Sequence, residues 1–264
     1  MNPQLTVQKS KQKKMARSLN LGTHLLFIVF AIFCVLPVLL IATSFTPQEE
    51  LAAEGVKLIP KGFSLEAWKL VFKTPQMIFD AYKVSIFVTV VGTILNLLMC
   101  ALTAYPLSKP EYKFASQTSF FIYFTVLFSG GIVPFYILCT QILHLKDSIW
   151  VLILPLLASP WIIFLLRTFF GYVPRALFES AKIDGAGEYR VFFSILLPLS
   201  MPALATAGLM IALIYWNDWY HAMLFVEKQN VTPVQMMLQN LTSYIDLLRE
   251  NQSRGMSVSM GEIP

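Results

Sequence analysis

The side chains that could carry out acid–base chemistry lie close together in one short polar segment. Glu179 and Asp184 stand five positions apart, between long apolar runs. Two carboxylates at such a spacing could act as general acid and general base. No His or Cys lies near them in the sequence, however, and they flank a predicted helix turn at a surface. A membrane enzyme is therefore a weaker interpretation of this segment than a surface that contacts a partner.

A second group of side chains has the composition of a carbohydrate contact. Residues 214–221 read Ile-Tyr-Trp-Asn-Asp-Trp-Tyr-His. Aromatic rings stack on sugar rings, and an amide, a carboxylate and an imidazole can hydrogen-bond to hydroxyl groups. An aromatic belt at the membrane interface would produce the same enrichment of Trp and Tyr. Both interpretations stay open for the candidate residues Tyr215, Trp216, Asn217, Asp218 and Trp219.

Asn96 is a further polar candidate because it lies in the middle of a long apolar run. It could contact a substrate in a translocation path. An interhelical hydrogen bond is the commoner role of an Asn inside a membrane helix, and it is the alternative interpretation.

The sequence contains no recognisable metal or nucleotide motif. Cys34, Cys100 and Cys139 each lie in a separate apolar run, without the Cys-x-x-Cys or Cys/His spacing of a metal or redox site. We expect them to be small buried hydrophobic residues. A G-x-x-x-x-G-K-[ST] loop is also missing from the sequence, so the chain cannot itself supply an ATPase site.

The elements that position these residues are long apolar segments. The 264 residues are 56% hydrophobic and 13% charged, whereas about a quarter of the residues in a soluble domain are charged. A helix that crosses the hydrocarbon core needs roughly 20 apolar residues. Five segments meet this requirement, so we predict an all-α, polytopic transmembrane helical bundle. The predicted spans are residues 21–44, 85–107, 119–140, 149–166 and 196–225.

Glycine and proline interrupt several of these spans. Gly130 and Gly131 precede Pro134 in the third, and Pro155 and Pro160 lie in the fourth. Kinks at such residues are tolerated in a bundle because neighbouring helices can bond the freed carbonyl groups. We therefore expect bent spans that could shape a cavity.

Basic residues predict the orientation of the chain. Five of them precede the first span. Others lie in the second connection between spans, residues 108–118, and in the fourth, residues 167–195. This enrichment marks all three regions as cytoplasmic. This clustering explains the net charge of +5 better than nucleic-acid binding does. The predicted domains are a cytoplasmic basic N-terminus (1–20), a transmembrane domain (21–225) that includes a cytoplasmic segment (167–195), and an extracytoplasmic loop (226–264).

The cytoplasmic segment 167–195 is predicted to hold two short helices. Pro174 suits the first position of a helix, and Gly185 suits a left-handed C-cap after residues 175–183. Asp184 is predicted to cap a second helix over residues 186–195.

An apolar stripe on the first helix, with polar residues around it, suits docking into a groove on a partner. An amphipathic connector resting on lipid headgroups is the alternative. The stripe consists of Leu177, Phe178 and Ala181, and the polar residues are Glu179, Ser180 and Lys182.

This segment resembles the signature of ABC importer permeases, E-A-A-x-x-D-G-A-x5-F-x2-I-x-L-P-x3-P. The chain departs from it only at Ser180, a small residue in place of a small residue. Ten matching positions at fixed spacing make the resemblance specific. The matching residues are Glu179, Ala181, Asp184, Gly185, Ala186, Phe192, Ile195, Leu197, Pro198 and Pro202.

The resemblance implies a permease subunit of a carbohydrate importer in the bacterial cytoplasmic membrane, with its N-terminus inside. It implies a coupling helix received by a cytoplasmic ATPase, and two copies of that ATPase that bind ATP and Mg while this chain binds no cofactor. A second permease and an extracytoplasmic sugar-binding protein are the other implied partners. Permeases of this kind have six spans, so a sixth is expected beyond residue 264. The implied coupling residues are Leu177, Phe178, Glu179, Ser180, Ala181, Asp184, Gly185 and Ala186.

A secondary transporter or channel subunit is the main alternative class. Such proteins usually place ionisable residues inside the membrane, and the predicted spans carry none near their centres. This pattern favours an external energy source, although a purely structural assembly protein stays a third possibility.

Overall fold

The computed structural model describes residues 23–24, 26–31, 37–47, 55, 57, 62–65, 68–69, 72 and 75–253. The chain divides into two compact units, Met1–Pro75 and Gln76–Pro264. The predicted cytoplasmic N-terminus, residues 1–20, and part of the first predicted span lie outside the described residues. All regular structure in the described part is helical, which agrees with the all-α prediction.

The first unit is described in short pieces. Residues 37–44 are helical, and an aromatic cluster follows them. The Phe45 ring stacks on Phe63 and Trp68, with ring centroids 5.4 and 5.7 Å apart. The backbone N–H of Ser64 donates to the carbonyl of Phe45 at 2.9 Å, which closes this loop on itself.

The second unit begins with its longest helix, α1 (Pro75–Ser108). At 1.5 Å per residue, its 34 residues extend about 50 Å, more than the roughly 30 Å of a bilayer core. The predicted second span, 85–107, lies wholly inside it. Because the helix is apolar on most sides, it has almost no polar face, as expected for a helix surrounded by other helices and lipid.

The three remaining predicted spans are bent. Helix α2 (Ala115–Leu127) meets α3 (Ile132–Ile142) at 108°. A stretch of 3₁₀ turns, Ile149–Leu156, meets α4 (Pro160–Gly171) at 51°. Within the part of the chain that the structure describes, only α1 is by itself long and apolar enough to cross a membrane, and four spans result if each bent pair counts as one. The predicted count of five spans is not confirmed.

The remaining helices carry the segment of interest and the end of the described chain. Helix α5 (Arg175–Ile183) is followed by α6 (Glu188–Leu199), which contains a π turn at Phe192–Leu196. Helix α6 meets α7 (Met201–Trp216) at 83°. The order closes with α8 (Tyr220–Phe225) and α9 (Val234–Ser253).

The core lies between α1, the 3₁₀ stretch, α4, α6 and α7. Its largest fully buried side chains are Phe170, Phe192, Phe225, Leu152, Ile153, Ile162, Leu166, Leu196 and Ile211. Helix α2, by contrast, buries none of its residues, and Phe120 and Phe121 are each 68% exposed. Helix α2 therefore presents its apolar surface outward.

The predicted polar loop 226–264 contains a helix of 20 residues, α9. Its start is tied to the bundle, since the N–H of Val234 donates to Ser85 Oγ of α1 at 2.9 Å.

Candidate functional site

Helix α5 has the predicted bounds and the predicted end. Gly185 has φ +78°, the left-handed conformation that favours glycine. The N–H of Gly185 donates to the Lys182 carbonyl at 3.0 Å, and the N–H of Ala186 donates to the Ala181 carbonyl at 2.8 Å. These two bonds form a Schellman motif. Pro174 is the N-cap residue, one position before the helix, rather than its first residue.

The prediction for the second short helix is wrong in two respects. Asp184 does not cap it: Asp184 is the C-cap residue of α5, and the next helix begins at Glu188 after Gly187. Gly185 and Ala186 donate the two bonds of the Schellman motif, so the chain becomes helical again only after them. The helix also continues past residue 195 to Leu199, because a π turn widens the backbone just before Pro198, which lacks an N–H donor.

The apolar stripe predicted on α5 is divided between two faces. Ala181 is 8% exposed and Phe178 packs against the core, so both contact the rest of the bundle. Leu177 is 40% exposed and Ile183 is 86% exposed. Glu179, Ser180, Asp184 and Gly185 are also exposed. The surface available to a partner therefore combines Leu177 and Ile183 with carboxylates and a bare glycine backbone.

A cluster around Glu188 was not foreseen from the sequence. Its Oε2 accepts hydrogen bonds from the Tyr105 hydroxyl at 2.6 Å and from Lys109, and its Oε1 pairs with Lys182 Nζ at 3.1 Å. Lys109 Nζ also lies 4.1 Å from the centre of the Tyr105 ring. The hydrogen bond to Glu188 raises the pKa of Lys182. Glu188 occupies a variable position of the signature, and its partners Tyr105 and Lys109 lie 83 and 79 positions away, so no local pattern could reveal it.

Contacts at the two ends of the bundle agree with the predicted grouping of the connections. At one end, Lys109 meets the segment 167–195 through Glu188, and Arg167 donates to Ser119 Oγ at 2.8 Å. At the other end, Asp147 Oδ1 accepts from the N–H groups of Glu227 and Lys228 at 2.6 and 3.2 Å.

The bonds from the Glu227 and Lys228 N–H groups lower the pKa of Asp147, and Lys146 pairs with Glu227 at 2.7 Å. The connection at 141–148 is thereby fastened to the chain that follows α8. Which end faces the cytoplasm stays a prediction.

Two of the predicted substrate residues bond to backbone carbonyls of the fourth predicted span. Asn96 Nδ2 donates to the Leu156 carbonyl at 2.5 Å, and the Tyr215 hydroxyl donates to the Ile153 carbonyl at 3.1 Å. In a continuous helix the Leu156 carbonyl would accept from residue 160, which is a proline and has no N–H. Asn96 therefore makes the interhelical hydrogen bond of the alternative interpretation and stabilises a break in the fourth span.

Close packing reinforces this arrangement. Cys100 Sγ donates to Asn96 Oδ1 at 3.1 Å, so both ends of the Asn96 amide are engaged. A Cβ placed on Gly92 would lie 2.7 Å from the Tyr215 ring, so glycine is required for the ring to reach Ile153. Tyr215 is only 4% exposed.

The rest of the aromatic segment is more open. Trp216 is partly buried, Asn217 is exposed, and Trp219 is 37% exposed. Asp218 is engaged with His221, whose Nδ1 lies 2.9 Å from Asp218 Oδ2. Among residues 75–253 and the shorter described stretches, no group of three or more His, Cys, Asp or Glu side chains is placed to hold a metal ion.

Bent apolar helices with up to four candidate membrane crossings, and a short exposed helix between two of them, are the architecture of a polytopic membrane protein. No family model matches the chain. It is 43% identical over 218 residues to protein LplC of Bacillus subtilis, covering 82% of this chain and 73% of that protein. It is 40% identical over 215 residues to the polygalacturonan/rhamnogalacturonan transport system permease protein YtcP of the same organism, covering 81% and 74%.

A solved structure shares the architecture. The crystal structure of a bacterial ABC transporter involved in the import of the acidic polysaccharide alginate contains a chain that matches with a TM-score of 0.78 and 25% identity, covering 88% of this chain and 81% of that one. The chain belongs to the ABC importer permeases, in their carbohydrate branch. It is accordingly an integral membrane protein and a transport component rather than an enzyme.

Proposed function

We propose that the chain forms half of the translocation path of an ATP-driven oligosaccharide importer. A second permease would form the other half, two copies of a cytoplasmic ATPase would supply the energy, and an extracytoplasmic sugar-binding protein would deliver the substrate. ATP and Mg would be bound by the ATPase subunits and not by this chain. The relatives reported above support this assignment. One is a permease protein of a polygalacturonan/rhamnogalacturonan transport system, and the transporter of the solved structure is involved in the import of alginate. The proposed location is the bacterial cytoplasmic membrane, with the N-terminus inside.

The exposed surface of α5 is the observation that carries the coupling role. Two apolar side chains of α5, Leu177 and Ile183, are 40% and 86% exposed, and they lie beside the exposed carboxylates of Glu179 and Asp184. Such a surface suits insertion into a cleft of another protein, with Leu177 and Ile183 as apolar contacts and Glu179 as a polar contact. Ser180, Asp184 and Gly185 complete that surface, whereas Phe178, Ala181 and Ala186 would hold α5 against the bundle. The coupling segment extends to Pro202.

A bare backbone at Gly185 fits the same role. A Cβ at this position would meet nothing within 4 Å in the isolated chain, so the space around it is open to a partner. An ATPase that closes on ATP binding could then pull on α5 and shift the helices attached to it.

Fewer residues are proposed to contact the substrate than the sequence predicted. Trp216, Asn217 and Trp219 have partly or largely accessible side chains that could stack on sugar rings or bond to hydroxyl groups. Asn96, Tyr215 and Asp218 have partners inside the permease, which support a role in holding the path in shape. Asn217 combines both features, since its side chain is exposed and its Nδ2 also donates to the Leu213 carbonyl at 2.8 Å.

The coupling role is tested by co-purification. The tagged chain is expressed with its neighbouring transporter genes, extracted in a mild detergent, and the eluate is examined by mass spectrometry and assayed for ATPase activity. The wild type should recover a second permease and an ATPase. The double variant Glu179→Ala with Gly185→Val should insert normally but lose most of the ATPase, because it removes a polar contact and places a side chain where φ is +78°.

Glu111→Ala is the matched control, since Glu111 is an exposed carboxylate in the connection that contributes Lys109 to the same end of the bundle. It should retain the ATPase. Equal recovery of ATPase by the wild type and the double variant would contradict the coupling role. A wild-type chain that purifies alone, without any ATPase, would favour a secondary transporter.

A further inference from the structure

Glu188 joins three elements that are separate in the sequence. Its carboxylate bonds to Tyr105 at the end of α1, to Lys109 just beyond that end, and to Lys182 on α5. Glu188 itself is the first residue of α6. One side chain therefore ties the proposed coupling helix both to the longest helix of the bundle and to the helix that leads into α7.

Two members of this cluster, Tyr105 and Lys109, are mostly buried, and the other two, Glu188 and Lys182, are about half exposed. Tyr105 is 8% exposed, and its ring lies 5.3 Å from that of Phe192, which is 1% exposed. The side chain of Lys109 is 17% exposed, whereas those of Glu188 and Lys182 are 53% and 49% exposed. The mostly buried partners of Glu188, Tyr105 and Lys109, thus lie at the end of α1, and the accessible partner, Lys182, lies on α5.

This distribution argues against a role in stability alone. Ion pairs between half-exposed side chains contribute little to folding, because water competes for both charges. Their geometric effect is larger, since three donors converge on one carboxylate and charge-assisted bonds are short and directional. Moving α5 would move Lys182, then Glu188, then the end of α1.

We propose that Glu188 is a positioning residue that transmits the movement of α5 to α1. The inference rests on the proposed coupling role and adds a residue outside the exposed docking surface. Through Glu188, displacement of α5 by the ATPase would act on the end of a helix of 34 residues that spans the bundle. Because the Tyr105 and Phe192 rings are packed together, Tyr105 could not move independently of the bundle, and the displacement would reach α1.

The test uses the whole transporter and needs no knowledge of the sugar. In a background with Cys34, Cys100 and Cys139 replaced by Ala, an environment-sensitive fluorophore is attached at Ile94→Cys on α1, where the native side chain is 60% exposed. The fluorescence change on adding ATP and vanadate reports movement of α1. We compare Glu188 with Glu188→Gln, which keeps the shape but removes the charge, and with Glu188→Asp, which keeps the charge on a shorter side chain.

Glu188→Gln should co-purify with the ATPase and melt at the wild-type temperature, while its fluorescence change falls several-fold, because a neutral amide no longer makes charge-assisted bonds to Lys109 and Lys182. Glu188→Asp should recover part of the response. Glu227→Gln is the matched control because Glu227 also pairs with a lysine, Lys146, but at the other end of the bundle; it should respond as the wild type does.

Three results would overturn the inference. A full fluorescence response in Glu188→Gln would show that α5 and α1 move together without this carboxylate, and would leave the proposed function standing. Loss of the ATPase or of thermal stability in Glu188→Gln would make Glu188 a docking or folding residue instead. A wild-type chain that recovers no ATPase would overturn the proposed function, and the inference with it.

Discussion

Tyr215 and Trp216 are adjacent in the sequence, yet their environments differ. The Tyr215 ring fills the space above Gly92 and its hydroxyl bonds to the Ile153 carbonyl. Trp216 lies on the next face of α7 and is only partly buried. Residue type alone placed both in one candidate set, because a phenol and an indole suit either a sugar or a helix interface. Their separation depends on a partner far away in the chain, the Ile153 carbonyl, which the Tyr215 hydroxyl reaches across 62 positions.

These environments predict different effects of two substitutions. Trp216→Ala should weaken the apparent affinity of uptake roughly 2- to 10-fold, since a lost aromatic contact is typically about 0.5–1.5 kcal/mol. The measurement is the concentration dependence of uptake, using the oligosaccharide transported fastest from a labelled panel. Tyr215→Phe is the control: it should lower thermal stability by about 1 kcal/mol through loss of a buried hydrogen bond and leave the concentration dependence unchanged. If Trp216→Ala reduces only the amount of protein in the membrane, the aromatic-belt interpretation is the correct one.

Single residues were predictable where the requirement was local. Gly185 could be assigned to a left-handed turn because few other residues tolerate that conformation. Asp184 could not be assigned correctly, since an Asp suits either the end of one helix or the start of the next, and the choice depends on the Schellman bonds. The role of Glu188 could not be predicted from local sequence because its partners Tyr105 and Lys109 are distant in the chain.

At the scale of helices, apolar runs predicted which segments are helical but not where the chain turns. The third predicted span, 119–140, is two helices that meet at 108°. Hydropathy falls at that bend only over Ser129, Gly130 and Gly131, and the Gly-Gly-x-x-Pro sequence there indicated a kink without giving its angle. The angle follows from Gly131, whose φ of 84° and ψ of 175° place it in a region that is essentially restricted to glycine.

The bend therefore gives a prediction with an internal control. Gly131→Ala should destabilise the protein by about 1–3 kcal/mol through backbone strain, although its Cβ would meet nothing within 4 Å. Gly130→Ala should have a small effect, because its Cβ would make an ordinary 3.9 Å contact with Pro134. Thermal unfolding of each variant in detergent measures the difference. Equal melting temperatures for the two variants would show that the bend does not depend on the conformation of Gly131.

At the scale of the whole molecule, composition was sufficient to predict a helical membrane protein, and the spaced signature was sufficient to predict its family. Composition could not show that the polar residues after α8 include a helix bonded to Ser85. It did predict which connections belong together. The bonds of Glu188 and of Asp147 gather the basic connections at one end and the turn at 141–148 with the chain after α8 at the other.

The orientation of those two ends is the last prediction. In a background lacking the three native cysteines, single cysteines are introduced as Tyr189→Cys, where the native side chain is 80% exposed near Glu188, and as Lys228→Cys beside Asp147. Sealed right-side-out membrane vesicles are treated with a membrane-impermeant maleimide. Because Lys and Arg flank the cytoplasmic ends of spans, Lys228→Cys should react at once, and Tyr189→Cys should react only after the vesicles are permeabilised.

The reverse order would invert the proposed topology and place α5 out of reach of any cytoplasmic ATPase. Equal labelling before permeabilisation would show that the two ends share one side of the membrane, which would contradict a spanning α1.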